Sequence, residues 1–333
     1  MLTLGIESSC DDTAAAVLQN DSTLLSSVLT SQDQIHTRFG GVVPELASRC
    51  HLESIVPIVK EALKRANVTL TDLDLIAVTQ GPGLMGSLLV GFSYAKALSY
   101  VSKIPYVGVD HMAGHILSVF LEEDKPDFPF IALVVSGGTS SIYRADSFTK
   151  FTLLGRTRDD AAGEAFDKVA KLLGFPYPGG PVISREAQSG DSKAIQFPRS
   201  WLEKDSLDFS FSGLKTSVLN HCNREKLKNN PLQLADICAS FQEAAVEVLV
   251  EKTILAASQQ NIQRIVLGGG VSSNPRLRQL MEKRCNKEQK ELYIPRPAFC
   301  TDNGAMIALA GVYSHRENSG FSYDQDVYSR SAL

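Results

Sequence analysis

Short apolar runs closed by glycine, serine or aspartate alternate along this chain with longer stretches of helical period. LTLGIE (2–7) and TAAAVLQ (13–19) flank the turn SSCDD, a pattern that predicts a strand hairpin. PELASRCHLESIVPIVKEALKR, from Pro44 to about Arg65, predicts a helix. The strand LIAVTQ, the turn GPGLMGS and the helix LLVGFSYAKALSYV follow. YVGV then leads into DHMAGH, where Asp110 is the expected N-cap of a helix carrying His111 and His115.

Past the DKPDFP breaker the scheme restarts. FIALVV, SGG and TSSIYRA again read as strand, tight turn and strand. RIVL-GGGVSSN-PRLRQLMEKR repeats the strand, glycine turn and helix of LIAVT-QGPGLMG. Two such halves predict a duplicated α/β architecture with a cleft between the halves.

At 333 residues the chain is long enough for two domains, and 44% hydrophobic with 21% charged residues is an ordinary globular composition. A net charge of -4 and a pI near 5.9 exclude a global basic signal, so any nucleic-acid contact must be local or partner-assisted. MLTLGIESSC has neither a signal-peptide nor a transit-peptide pattern, and Lys96 interrupts the longest apolar run. The six scattered cysteines form no C-x-x-C pair. A cytoplasmic location without membrane association is therefore expected.

His111 and His115 share a helix face and can grip one metal ion. The zinc-hydrolase motif H-E-x-x-H has a glutamate after its first histidine, and here that position is Met112. Asp302, before the small-residue helix of CTDNGAMIALAG, is either the third ligand or an ordinary N-cap. Two imidazoles and a carboxylate leave coordination positions open, which suits Zn²⁺ or Fe²⁺. VSGGTS and LGGGVSSNP present backbone N–H groups where strands end, as a phosphate cradle does, although tight turning with Asn274 as an N-cap also explains them. Asp11 and Asp12 at the first hairpin tip form either an Asx-turn or a carboxylate pair able to take a proton. Asp159 or Asp160 is expected to cap a helix, and Asp167 either pairs with Lys171 or faces a sugar hydroxyl. The charges of RLRQLMEKRCNKEQK, interleaved with Glu282 and Glu288, read as a solvated helix face.

GIESSCDDTAAAV, GGVVPELASRCH, QGPGLMGSLLVG, DHMAGH, VSGG, DDAAGEAFDKVAKLLG, YPGGP, FSFSGLKT, GGGVSSN and CTDNGAMIA together resemble the bacterial tRNA adenosine threonylcarbamoyltransferase family, TsaD. Archaeal and eukaryotic relatives of that family belong to the KEOPS complex. The resemblance implies an actin/Hsp70-like (ASKHA) fold, with residues 1–130 plus 304–333 as the first domain and 131–303 as the second. It implies transfer of a threonylcarbamoyl group from threonylcarbamoyl-AMP to the exocyclic amine of adenosine 37 in tRNAs reading ANN codons. Its metal ligands fall on His111, His115 and Asp302, with Fe²⁺ first and Zn²⁺ as the alternative. Its substrate contacts fall on Val134, Val135, Ser136, Gly137, Gly138, Asp167, Gly180 and Asn274; beside them, Asp11 and Asp12 of the acidic turn are the candidate catalytic residues, with Asp11 expected to orient the amine or take its proton. A TsaB-like paralogue and a TsaE-like ATPase are the implied partners. TSS follows VSGG where HTQ is frequent, Asp12 stands where glutamate is usual, and Ser184 where aspartate is common. A metallopeptidase and an actin-fold kinase are the competing activities. Met112 counts against the first, and the second leaves the histidine pair and Asp302 without a purpose.

Overall fold

The computed structural model describes residues 1–201, 203, 205–317, 322–331 and 333. In chain order its regular elements are β1 (Leu2–Glu7), β2 (Asp12–Gln19), β3 (Thr23–Ser31), α1 (Asp33–His36), α2 (Pro44–Ala66), β4 (Leu75–Gly81), α3 (Met85–Ser102), β5 (Tyr106–Asp110) and α4 (His111–Leu117). They continue with β6 (Phe130–Val135), β7 (Ser140–Ala145), β8 (Phe151–Arg156), α5 (Ala162–Leu172), α6 (Gly179–Glu186), α7 (Ser212–Leu227) and α8 (Leu234–Gln259). The last are β9 (Arg264–Gly268), α9 (Pro275–Lys287), β10 (Glu291–Tyr293), α10 (Pro297–Cys300) and α11 (Gly304–Glu317).

The chain divides into two compact units: Met1–Pro126 with Asp146–Phe151 and Pro295–Leu333, and Asp127–Ala145 with Thr152–Ile294. Each contains a five-stranded mixed sheet, ordered β3-β2-β1-β4-β5 in one and β10-β9-β6-β7-β8 in the other. In both, a central strand pairs antiparallel with the next strand and parallel with a later one, as β1 does with β2 and β4 and β6 does with β7 and β9. The repeated strand order is the duplication expected from the two hairpins. The return to the first unit falls at Pro295, ahead of residue 304, because Arg296 N–H donates to Glu122 at 2.8 Å and fastens this segment behind α4. Asp302 therefore belongs to the same unit as both histidines.

The first core gathers Leu4, Ile6, Val17, Ile55, Ile76, Phe92 and Tyr106. The second gathers Ile131, Leu133, Phe166, Phe241, Leu249, Ile265 and Leu267. Each such side chain contributes about 1.5–3 kcal/mol on leaving water. A Cβ on Gly5 would stand 2.1 Å from the Gly304 carbonyl oxygen, so glycine is what lets α11 lie directly on β1. That contact brings the start of α11 close to the end of β1. Helix α8 shows no amphipathic stripe because it is buried nearly all round, and periodicity alone passes over it.

Two local expectations are corrected. α3 begins at Met85, taking in part of the presumed turn. The basic face of α9 is not merely solvated. Arg276 reaches Glu243 at 2.6 Å and Arg284 reaches Glu251 at 2.8 Å through Nη2, which fastens α9 to α8. Among the described residues, no helix is long and apolar enough to cross a membrane.

Candidate functional site

Helix α4 starts as soon as β5 ends. Asp110 caps it, accepting from the N–H of Met112 at 2.8 Å and of Ala113 at 3.4 Å. Its other oxygen accepts from the Tyr328 and Ser331 hydroxyls, so the cap is held from outside. His111 and His115 then lie one turn apart, edge to face, with ring centroids 4.6 Å from each other. Asp302 does not cap α11, because the Asn303 side chain accepts the Met306 N–H at 2.9 Å in its place. The Asp302 carboxylate turns inward instead. Its Oδ1 lies 3.4 Å from His111 Nε2 and 3.2 Å from His115 Nε2.

Those three donor atoms fall within 4.8 Å of one another, a spacing one cation could bridge. Both His115 nitrogens are buried without a hydrogen-bond partner, since the approach to Asp302 lacks hydrogen-bond geometry. A buried ring with two orphaned nitrogens is costly unless something binds it. Burial and the neighbouring His111 hold His115 below its usual pKa, which leaves it a neutral ligand.

Glu7, which ends β1, is the partner the sequence did not disclose. It is fully buried, with Oε2 2.9 Å from His111 Nδ1 and 2.6 Å from the Thr79 hydroxyl that donates to it. Its Oε1 accepts the Ser9 N–H at 2.5 Å. A carboxylate on Nδ1 makes that nitrogen the donor and leaves Nε2, which faces Asp302, as the atom that would ligate a cation once its proton is displaced, as in carboxylate–histidine–metal arrangements. Burial opposes charge on His111, but Glu7 and Asp302 outweigh it and raise its pKa well above normal. Burial likewise raises Glu7 and Asp302, and the His111 charge together with polar contacts, from His111 and Ser9 to Glu7 and from both histidines to Asp302, outweighs it and leaves both lowered. The buried Glu7 and the half-buried Asp302 thus share one protonated imidazole, and a divalent cation would balance them fully. The signal for Glu7 was an acidic residue closing an otherwise apolar strand beside the acidic turn. Glu7→Gln should weaken divalent-metal affinity by about 10–100-fold with little change in fold. Metal titration checks this, and wild-type affinity in the variant would exclude an orienting role.

Asp11 and Asp12 sit where β1 passes into β2, and Asp12 opens β2 opposite Ser31. Burial raises both carboxyls, Asp12 to about 8, with further upward pushes from Asp302. The turn before them is braced along its length. Ser8 donates its hydroxyl to the Ser87 carbonyl at 3.1 Å, and the Ser9 carbonyl accepts the Leu84 N–H at 2.8 Å. The GPGL turn lies against it, since a Cβ on Gly83 would stand 2.4 Å from the Ser9 carbonyl oxygen.

In the second unit, β6 and β9 are parallel neighbours with Val134 opposite Gly268, so their glycine turns leave the sheet side by side. Val134 and Val135 are buried at the end of β6, and the turn Ser136–Thr139 closes through a 2.8 Å backbone bond. A Cβ on Gly137, Gly138 or Gly180 would meet nothing within 4 Å, so one side of each backbone stays open. Gly269, at φ +83°, passes against Val135, where a Cβ would stand 2.4 Å from the carbonyl oxygen. Asn274 caps α9, accepting from the N–H groups of Arg276 at 2.9 Å and Leu277 at 3.1 Å, and donates to Gln242 at 2.8 Å. Its capping role is what the N-P dipeptide predicts. Beside it, a cavity of about 390 Å³ is lined by Ser184, Gln188, Gln242, Arg276 and Gln279 among others.

Asp167 reaches beyond its own helix: its Oδ1 accepts the Gly179 N–H at 2.7 Å and fixes the start of α6. Asp159 caps a helix, though not the one it precedes. It accepts from the Phe211 and Ser212 N–H groups and so begins α7. Asp160 instead binds Lys168 and Lys215 at 2.6 and 2.7 Å.

A family model described as TsaD, tRNA N6-adenosine threonylcarbamoyltransferase, matches residues 23–309. The chain is 60% identical to the tRNA N6-adenosine threonylcarbamoyltransferase of Desulfotalea psychrophila, an alignment covering 100% of this chain and 98% of that one. It is 55% identical to the protein of the same name from Syntrophus aciditrophicus, over 93% and 91% of the two chains. Among solved structures, full-length HypF in its phosphate- and nucleotide-bound form is similar, with a TM-score of 0.64 at 14% identity, over 96% of this chain and 55% of HypF. The activator of the 2-hydroxyisocaproyl-CoA dehydratase from Clostridium difficile with bound ADPNP gives 0.54 at 14% identity, over 97% of this chain and all of that one. At that identity the likeness shows the fold alone, which is of the actin/Hsp70-like (ASKHA) type.

Proposed function

This chain belongs to the tRNA N6-adenosine threonylcarbamoyltransferase family and is a transferase acting on tRNA, and from that premise we propose how its residues divide the work. The donor is threonylcarbamoyl-AMP and the acceptor is the exocyclic amine of adenosine 37 in tRNAs reading ANN codons. The observation that carries the site assignment is the meeting of two imidazoles and one carboxylate, with donor atoms within 4.8 Å, next to a braced acidic turn. His111, His115 and Asp302 would hold one divalent cation, Fe²⁺ first and Zn²⁺ as the alternative. Bound there, the cation would supply Lewis acidity toward an oxygen of the donor.

The chain's own groups do the rest. Glu7 keeps His111 in the ligating tautomer. Asp11 orients the incoming amine and takes its proton as the N–C bond forms and the C–O bond to phosphate breaks. In the second unit, the open side of the Gly137 and Gly138 backbone suits a nucleotide phosphate. The cavity beside Asn274 and Ser184 is large enough for a nucleobase. A buried Met112, at 3% exposure, stands where a metallopeptidase would keep its water-activating glutamate. A transferase must keep water from that carbonyl, and an apolar side chain there serves it.

A TsaB-like paralogue and a TsaE-like ATPase complete the proposal, with the reaction in the cytoplasm. Helices α2 and α3 leave Leu52, Val56, Met85 and Leu89 exposed, an apolar row that suits a partner. A smaller paralogue would present the same pair of helices, so the contact could be quasi-symmetric. The test supplies labelled threonine, bicarbonate, ATP, an intermediate-forming enzyme, both partners and tRNA. Label should reach tRNA only with this chain present, and leaving out each partner in turn measures the need for it. Label reaching tRNA without the chain, or metal-dependent cleavage of casein by the pure chain, would overturn the assignment.

A further inference from the structure

His51 lies in the middle of α2 and is fully buried, yet no step described above uses it. Its two ring nitrogens are both engaged, one by the acidic turn and one by Thr13, the second residue of β2. Nε2 lies 3.0 Å from the Cys10 carbonyl oxygen. A carbonyl can only accept, so Nε2 carries the proton and donates. Nδ1 is then the acceptor, and the Thr13 hydroxyl donates to it at 2.7 Å. The tautomer is thus fixed by its partners, and burial, which lowers the pKa, keeps the ring neutral.

The residues that His51 grips, Cys10 and Thr13, bracket Asp11 and Asp12. β1 ends at Glu7 and β2 begins at Asp12, so the backbone between them is not tied by the sheet ladder. Its other restraints act at the two ends, on Ser8 through Ser87 and on Ser9 through Leu84 and Glu7, and from Asp12 onward through pairing with β3, which leaves His51 to hold Cys10 and to tie it to Thr13. An apolar residue would fill the same space on α2 at less desolvation cost, and a structural filler has no reason to carry two matched polar atoms. We propose that His51 is a positioning residue that fixes the Cys10–Thr13 segment so that Asp11 meets the acceptor amine at the right distance and angle. This rests on the assignment of Asp11 as the group that orients and deprotonates that amine.

The test compares His51→Phe, His51→Gln and Thr13→Val in the complete assay with partners, alongside Asp11→Ala and the double variant His51→Phe/Asp11→Ala. A displacement of about 1 Å can cost on the order of 100-fold in rate. His51→Phe should therefore lower kcat by roughly 30–100-fold, with KM for tRNA and bound metal unchanged. Glutamine offers an amide N–H and an oxygen at nearly the spacing of the two ring nitrogens, and should return kcat to within about threefold of wild type. Thr13→Val, which removes only one of the two bonds, should fall between them and guards against a His51→Phe chain that does not fold. Because His51 acts through Asp11, His51→Phe should add little to Asp11→Ala. Wild-type kcat in stably folded His51→Phe, no recovery with glutamine, or full additivity in the double variant would overturn the positioning role. Near-normal turnover of Asp11→Ala alone would instead overturn the base assignment beneath it.

Discussion

Asp302→Ala should leave a folded chain that no longer retains a divalent cation and transfers threonylcarbamoyl at least about 1,000-fold more slowly. The carboxylate is the only one of the three donors delivered from the end of the chain, and it faces both imidazole Nε2 atoms at 3.2 to 3.4 Å. Two imidazoles alone make an incomplete set for a metal. Lewis-acid stabilisation is worth several kcal/mol, and each 1.4 kcal/mol is tenfold in rate, which gives the size of the loss. The neighbouring residue supplies the control. Asn303 caps α11, so Asn303→Ala should cost about 1 kcal/mol of stability while metal content stays near wild type. Metal analysis of both purified variants, with single-turnover transfer to tRNA, separates ligand from cap. Full metal occupancy in Asp302→Ala would sink the triad.

That pair of adjacent residues shows what the sequence could and could not disclose. Asp-Asn before a small-residue helix announces a cap and leaves open which residue provides it. The answer depends on which side chain the first turn of α11 aims at its own N–H groups. The histidine pair, the Asp110 cap and the Asn274 cap were legible because each depends on spacing within a few residues. The duplication was legible from the two hairpins, and the common strand order follows from it. Glu7 and His51 were not legible as partners, because their roles arise from contacts between residues 104 and 41 positions apart. Asp159 or Asp160 suits a cap for α5, but Asp159 caps α7 instead, a bond to residues more than 50 positions along the chain, and Asp160 binds two lysines. Local rules identify a residue type suited to capping, whereas packing chooses the helix.

Asp11→Ala should reduce transfer by about 100-fold or more while the metal stays bound, since general-base assistance is typically worth 10² to 10⁴. Both turn carboxyls are raised by burial, and Asp302 pushes each of them further upward. A raised carboxyl is a stronger base once ionised, and it ionises at higher pH. The acid limb of the wild-type rate should accordingly fall above the ordinary carboxylate range, with activity lost as pH drops through the raised value and retained above it. A cation held by His111, His115 and Asp302 places positive charge where Asp302 alone placed negative. It therefore opposes the upward shift, and replacing a tightly held cation by a weaker one should move the limb toward higher pH. In Asp11→Ala the limb should disappear along with most of the rate. Single-turnover transfer from preformed threonylcarbamoyl-AMP, followed across pH with metal content measured in parallel, gives both quantities. A rate within a few-fold of wild type, with the limb intact, would move the proton-accepting role away from Asp11 and leave Asp12, at about 8, as the carboxylate to examine.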